Sequence, residues 1–420
     1  MFALADCNNF YASAHRVFRP DLNHKPIVVL SNNDGCVIAR SEEAKKFNIK
    51  MAVPLFQIQH LIDLYGITVF SSNYSLYGDM SSRIMMILQT FAPNVEIDSI
   101  DEAFLDFRGM ELNFDLREYV KKIAYTVKRD TGMPVSIGMA KTKTLAKVAS
   151  KFAKKYKNYH GVCVIDTDEK RIKALKLTKI GDVWGIGRKY RIFLEKMNIQ
   201  TAYDFTRLPK EFIRKKMTVI GEKTWLELNG IPCIDLETEG LPHKQICVSR
   251  AFSHSIKTLD ELSEALSTYA SLACEKLRKQ KGCAVSVMVF IYTNNFRKDL
   301  PQYSRNTVVT LPVPTNSTLE IVKYVLKSLR LIYKPGYLYK KAAVIIHEIV
   351  PEDSVQSNLF YNLDHKKHAN LMKVFDKYNN GFEGNKIAIG VQGFERKWNM
   401  KQDYKSPCYT TKISDVIRIK

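Results

Sequence analysis

Closely spaced cysteine pairs are missing from this chain of 420 residues. Its eight cysteines run from Cys7 to Cys408, the nearest two are Cys274 and Cys283, and no CxxC occurs. That spacing excludes a zinc ribbon and a dithiol redox pair and leaves reduced, structural thiols. Also missing is an apolar run long enough to span a bilayer. The opening MFALADCNNF has no basic leader and carries an acid at Asp6, so no signal peptide is expected and the cytoplasm is the expected compartment. Acidic residues are scarce: 43 Asp and Glu stand against 64 Lys and Arg, a formal net charge of +21. Such a surplus suits a polyanionic partner, nucleic acid first. At this length one core does not suffice, and roughly two to four domains are expected.

The positive charge is concentrated. From Lys141 to Lys157, KTKTLAKVASKFAKKYK holds seven lysines and no acid. At helical period Leu145, Val148, Phe152 and Tyr156 share one face, while Lys147, Lys151 and Lys154 line the other. A solvated helix normally mixes signs at i, i+4 spacing, so an unmixed stripe points to phosphates. The HKKH at His365 to His368 has no Cys or third His nearby and reads as a solvated polar turn rather than a metal site.

Along the chain, FALAD, KPIVVLS, VEIDSI, AFLDF and MPVSIGMA read as strands, and SEEAKKF, LFQIQHLIDLY, residues 79–91 and the lysine segment read as helices. Their interleaving predicts an α+β domain with a packed sheet. From about residue 165 the character changes. DVWGIGRKYRIFLEKMNIQTAYDF places Gly185 and Gly187 between helical stretches, the pattern of a helix-hairpin-helix whose backbone N–H groups approach a phosphate. A second short unit, TVIGEKTWLELNGIP, follows. From about Lys244 a second α+β domain is expected, and beyond Pro351 a polar Asn/Lys-rich tail with short apolar islands.

Within VEIDSIDEAFLDF, Asp101 and Glu102 stand side by side among apolar residues. Burying two adjacent carboxylates costs several kcal/mol per ion unless a positive partner compensates. A salt bridge, solvent at an exposed turn, or a divalent metal could each do so. Asp6 ends another strand of the same predicted sheet. Three carboxylates from neighbouring strands beside a cationic helix suit two divalent ions and a triphosphate, since Mg²⁺ prefers a few carboxylates plus substrate phosphates to an all-protein cage.

Several ordered blocks then carry a resemblance. DCNNFYAS, SIDEA, GMAKTKTLAKVASKFAKK and VWGIGRK resemble the signature blocks of the Y-family translesion DNA polymerases. The match runs on through SNNDGCVIARSEEAKKFNIKMAVP and SPCYTTKISDVIRIK, which are similar to the UmuC subgroup, so the resemblance covers essentially the whole chain. It implies metal binding by Asp6, Asp101 and Glu102, with the backbone carbonyl of Cys7 completing the shell and two Mg²⁺ as cofactor. It implies Tyr11 as the steric gate against a ribose 2′-hydroxyl, Lys45 and Lys154 as triphosphate contacts, and Ile38 as part of the roof over the nascent base pair. Phe10, beside the gate, is expected to be packing. QSNLF, with Gln356, Leu359 and Phe360, resembles a sliding-clamp-binding pentapeptide. The chain departs from many relatives in having Asn8 where they carry a second Asp, and Glu42 where they carry a Tyr ahead of the triphosphate-binding residue.

The expected architecture is therefore multidomain α+β, a right-hand polymerase: palm at 1–10 and 73–164, fingers at 11–72, helical thumb with helix-hairpin-helix at 165–243, little finger at 244–350, and a partner- and clamp-binding tail at 351–420. The resemblance implies error-prone translesion synthesis in an SOS-type damage response, on primer-template DNA with dNTPs, in association with the nucleoid. It further implies a processed UmuD-like subunit, RecA and the sliding clamp as partners, and no membrane. The competing readings are a non-catalytic DNA-binding scaffold and a palm-fold nucleotidyl cyclase. The second is disfavoured by the missing GG before Asp101–Glu102 and by the helix-hairpin-helix units.

Overall fold

The computed structural model describes residues 1–237, 242–356, 358, 360–361, 364–379, 387–393, 395–396 and 398–417. It divides into two compact units, one formed by Met1–Gly240 with Asp403–Lys420 and the other by Leu241–Gln402.

In the first unit β1 (Phe2–Cys7) runs into α1 (Phe10–Phe18), followed by β2 (Ile27–Leu30), β3 (Val37–Arg40), the single turn α2 (Glu42–Lys45), α3 (Leu55–Tyr65) and β4 (Thr68–Ser71). Next come α4 (Tyr74–Gln89), the hairpin of β5 (Asn94–Ile97) and β6 (Glu102–Asp106), α5 (Leu116–Thr131), β7 (Val135–Ala140), α6 (Lys143–Lys155) and β8 (Val162–Ile165). The larger sheet has the order β5-β6-β1-β7-β8, with β7 and β8 parallel and the other pairs antiparallel. A smaller sheet, β3-β2-β4, carries α2 and α3.

β1 is central and covered on both faces, which its near-continuous apolar sequence anticipates. Because side chains alternate along a strand, Ala3, Ala5 and Cys7 pack with α1, α4 and α5, whereas Leu4 packs with Phe104 beneath α6. Each large side chain buried in these layers contributes roughly 1.5–3 kcal/mol. The same parity puts Asp6, and Glu102 opposite it, on the α6 face.

α4 begins at Tyr74, five residues ahead of the helix expected from periodicity, because Asn73 accepts a hydrogen bond from the Leu76 N–H and caps it. α7 (Asp168–Leu177), α8 (Arg188–Lys196), α9 (Ala202–Thr206) and α10 (Lys210–Leu228) form the helical part of the unit, and α10 is broken at Thr218, where φ is 64°.

The second unit is a four-stranded antiparallel sheet of order β11-β10-β12-β9, from β9 (Ile246–Ile256), β10 (Gly282–Thr293), β11 (Ser304–Thr315) and β12 (Tyr339–Pro351). α11 (Leu259–Lys279) and α12 (Thr318–Ile332) cover its apolar face.

Two expectations are corrected here. The HKKH is not a polar turn but opens a helix, α13 (His365–Asn379), and His368 Nδ1 lies 2.7 Å from Ser317 Oγ. Residues 351–420 do not form one tail. α13 is fastened to its unit by Arg278, which donates to both oxygens of Asp376 at 2.7 and 2.6 Å, and by the buried Met372, while the segment from Asp403 belongs to the first unit. Paired charges and a buried sulfur make this packed structure, despite its polar composition.

Candidate active site

Asp6 and Glu102 are direct cross-strand partners at the end of the β1–β6 ladder, and the Cys7 N–H donates to the Asp101 carbonyl at 2.9 Å. The hairpin expected from the sequence thus brings all three carboxylate residues to one end of the central strand. Ser99 organises the bend: its hydroxyl donates to Asp101 Oδ1 at 2.6 Å and accepts from the Glu102 N–H at 3.1 Å.

The lysine helix lies over this end. Lys154 forms an ion pair with Asp6, and Lys147 sits 2.7 Å from Asp98 and 2.9 Å from Glu102. Lys151 pairs with Asp182 at 2.6 Å, and Lys143, only 2% exposed, pairs with Glu96 at 2.6 Å. The stripe that looked unmixed in sequence is matched by acids from β1, the β5–β6 hairpin and the turn at residue 182. This corrects the expectation of a free cationic face, and the correction arises because the neutralising groups are far away in sequence.

Burial pushes the Asp6 carboxyl up to about 6; Lys154 opposes the shift, and Glu102 and Asp101 add to it. Burial likewise raises the Cys7 thiol. Burial disfavours the Lys147 ammonium, yet its hydrogen bonds to Asp98 and Glu102 prevail and raise its pKa. Among the described residues no three His, Cys, Asp or Glu side chains are gathered closely enough to hold a metal ion by themselves. What the strand end offers is hard oxygen donors, one of them ionised with difficulty beside a single lysine. That chemistry fits a divalent cation.

Tyr11 stands in the first turn of α1, half-buried, its ring stacked on Tyr77 at 4.1 Å and 17° and edge-on to Tyr74 at 6.3 Å. Phe10 is 4% exposed and packs in the core, as expected. Tyr77 in turn donates to or accepts from His15 Nε2 at 2.8 Å, and the His15 ring lies flat on Phe70 at 3.9 Å. Sequence reading missed Tyr74, Tyr77 and His15; the signal available was the YSLY spacing, which sets both tyrosines on one helix face.

Lys45, exposed on α2, pairs with Glu42, and Glu42 accepts from Asn9 Nδ2 at 3.1 Å. The departure noted at Glu42 therefore links α2 to the residue before α1. Ile38 is half-buried on β3 and joins none of the core clusters. Gly185 has φ +89°, and a Cβ there would meet Thr224 Oγ1 at 2.5 Å. Gly187, the exposed residue capping the start of α8, has open space where a Cβ would lie, so what it leaves accessible is backbone. Gln356 is exposed and Phe360 is 98% exposed, at a tight turn that Tyr361 ties to Glu320 at 2.6 Å; Leu359 lies outside the described residues.

The chain is similar to protein UmuC of Salmonella typhimurium strain LT2, 39% identical over 422 residues and 100% of both chains. It is also similar to protein ImpB of Salmonella typhimurium, 40% identical over 419 residues and 99% of both. A model described as the impB/mucB/samB family matches residues 5–151, and one for that family's C-terminal domain matches 243–359. The chain belongs to the impB/mucB/samB family. It falls in the family's UmuC subgroup, and a further model, described as a domain of unknown function, matches residues 369–419. Among solved structures, the Y-family DNA polymerase chimera Dbh-Dpo4(243-245)-Dbh matches with a TM-score of 0.68 at 22% identity, covering 84% of this chain and 100% of that one. The fold of this family member is thus the multidomain α+β fold of Y-family polymerases. No helix among its described residues is long and apolar enough to cross a membrane.

Proposed function

We propose that this protein is a template-directed DNA polymerase that carries out error-prone translesion synthesis in an SOS-type damage response. It transfers a deoxynucleotide from a dNTP to a primer 3′-OH and releases pyrophosphate. The observation that carries the reading is the pairing of Asp6 with Glu102, beside Asp101, at the end of the central strand and under a lysine helix. A carboxylate that burial makes reluctant to ionise, flanked by two more, calls for added positive charge. Two Mg²⁺ held by Asp6, Asp101, Glu102 and the Cys7 carbonyl would lower the 3′-OH pKa and neutralise charge on the phosphates.

The chain's own residues do the rest. Lys154, beside Asp6, and Lys45, on the exposed turn α2, supply cations for the triphosphate. Tyr11, stacked on Tyr77 and edge-on to Tyr74, excludes a ribose 2′-hydroxyl by its bulk. Ile38, half-buried and outside the cores, covers the nascent base pair. Gly185, whose positive φ makes the turn, and Gly187, exposed with open space beside it, offer backbone N–H groups to a DNA phosphate. Gln356, Leu359 and Phe360 form the clamp-docking segment, and a UmuD-like subunit and RecA are the further partners. In domain terms, the five-stranded sheet with α4 to α6 is the palm, the three-stranded sheet with α2 and α3 the fingers, α7 to α10 the thumb, and the second unit the little finger.

Primer extension with Mg²⁺ on a gapped template tests the reading. Incorporation by the parent chain, lost in Asp101→Asn while DNA binding persists, is the expected result. DNA binding without extension by the parent would leave a scaffold, and cyclic nucleotide formation without a template would leave a cyclase.

A further inference from the structure

We propose that residues 403–417 are a strap that positions the tyrosines guarding the sugar site, and that this is a role of the region matched as a domain of unknown function. The inference rests on the reading of Tyr11 as the sugar gate.

Asn73 is 1% exposed and its side chain has two tasks. Its oxygen accepts from the Leu76 N–H at 3.3 Å and caps α4. Its amide nitrogen is not needed for capping. It donates to the Ser406 carbonyl at 3.3 Å, the Ser406 hydroxyl at 3.0 Å and the Pro407 carbonyl at 3.1 Å. Two residues earlier, the Ser71 N–H donates to the Tyr404 carbonyl at 3.0 Å, and the Ser71 hydroxyl accepts from the Tyr404 N–H at 3.0 Å. The Ser71 hydroxyl also donates to one oxygen of the buried Asp34 at 2.6 Å, while the other Asp34 oxygen accepts from the Asp403 N–H at 2.7 Å. Farther on, the Tyr409 ring stacks on Phe18 at 4.9 Å and 9°.

These attachments fall on the two helices that form the gate. Asn73 and Ser71 lead into α4, whose first turn carries Tyr74 and Tyr77, and Phe18 ends α1, whose first turn carries Tyr11. The strap thus grips one helix at its start and the other at its end, and the two meet in the Tyr11–Tyr77 stack. Without it the Asn73 amide is left buried and unpaired or must turn toward water, and either outcome loosens the turn holding Tyr74 and Tyr77. Discrimination by steric exclusion depends on ring placement, and a misplacement of about 1 Å changes such a ratio about tenfold or more. Residues 403–417 are therefore positioning residues, acting through Asn73 and Phe18.

The test compares the full chain, a chain ending at Gln402, Tyr409→Ala and Tyr11→Ala on one primer-template. It reads kcat/KM for a ribonucleotide and the matching deoxyribonucleotide, together with amide exchange at residues 74–77. The shortened chain is expected to accept ribonucleotide about tenfold or more better relative to deoxyribonucleotide, and to exchange faster at 74–77. A synthetic peptide of residues 403–417 should reverse both changes. Tyr409→Ala, which keeps the strap's hydrogen bonds to Asn73, Ser71 and Asp34 and removes the ring on Phe18 with its hydroxyl contact to Arg19, should shift the ratio the same way by less; it serves if the shortened chain fails to fold. An unchanged ratio with unchanged exchange in a folded variant overturns the proposal. If Tyr11→Ala itself leaves the ratio unchanged, the gate reading is lost; the exchange result then decides alone whether the strap orders α4.

Discussion

The ring of Tyr11 lies on the ring of Tyr77, with centroids 4.1 Å apart and planes inclined by 17°. Tyr77 is fully buried, so the stack anchors Tyr11, which itself stays half-buried. Replacing Tyr11 by alanine is expected to raise relative ribonucleotide incorporation by about a hundredfold or more, because a steric block discriminates more strongly than one lost contact. The deoxyribonucleotide kcat should fall much less. Both kcat/KM values on a single template decide it, and an unchanged ratio in an active mutant assigns the guard elsewhere.

Tyr77→Phe keeps the stacked ring and removes the hydroxyl, which is bonded to His15 and also to the Asn73 backbone. The expected cost is about 1–3 kcal/mol of stability of the first unit, since His15 is left buried without that partner. Urea unfolding of the two proteins measures it; equal midpoints would show that His15 is satisfied in another way.

His15 also predicts a pH dependence. Burial pushes its imidazole down to about 3, from an ordinary value of about 6.5. Between those values the unfolded chain takes up a proton that the folded chain refuses. This contribution is therefore fully retained above about pH 6.5 and is lost as pH falls, by roughly 1.4 kcal/mol per unit. The non-titrating His15→Gln should show a shallower loss of stability between about pH 7 and about pH 5. Parallel curves would mean that other groups set the slope.

Asp101→Asn is expected to abolish incorporation while leaving DNA affinity nearly intact. Affinity comes mainly from Lys and Arg on phosphates, and the substitution removes one charge from the strand end. Single-turnover extension and a salt-dependent binding titration separate the two effects. Comparable extension by mutant and parent would remove Asp101 from the metal-site assignment.

Leu359→Ala with Phe360→Ala is expected to lower clamp-stimulated synthesis and to spare synthesis without the clamp. Phe360 is 98% exposed, so its truncation removes no core contact. A melting temperature that drops in the double variant would show that the segment serves folding instead of docking.

Much of this protein was legible in its residues alone. The alternation in β1, the apolar face of α6 and the bend between β5 and β6 follow from periods of 2 and 3.6 and from turn chemistry, which neighbours in sequence determine. That Asp6, Asp101 and Glu102 meet at one strand end was legible in this way, because strand ends and a hairpin are local objects. The charge state of their surroundings was not. Lys147 and Lys154 look unpaired along α6 and become paired only when the sheet brings Asp6, Asp98 and Glu102 beneath them. The Tyr11–Tyr77–His15 chain has the same origin, since two helices must pack before their rings meet. Nor could composition reveal that a polar segment at the far end of the chain returns to Asn73. Polarity argues against burial only until each polar group finds a partner, and the partners of Ser406 and Tyr404 lie more than three hundred positions away. Local periodicity decided which elements form, and the demand that every buried charge and amide be matched decided, through the tertiary structure, what surrounds the site.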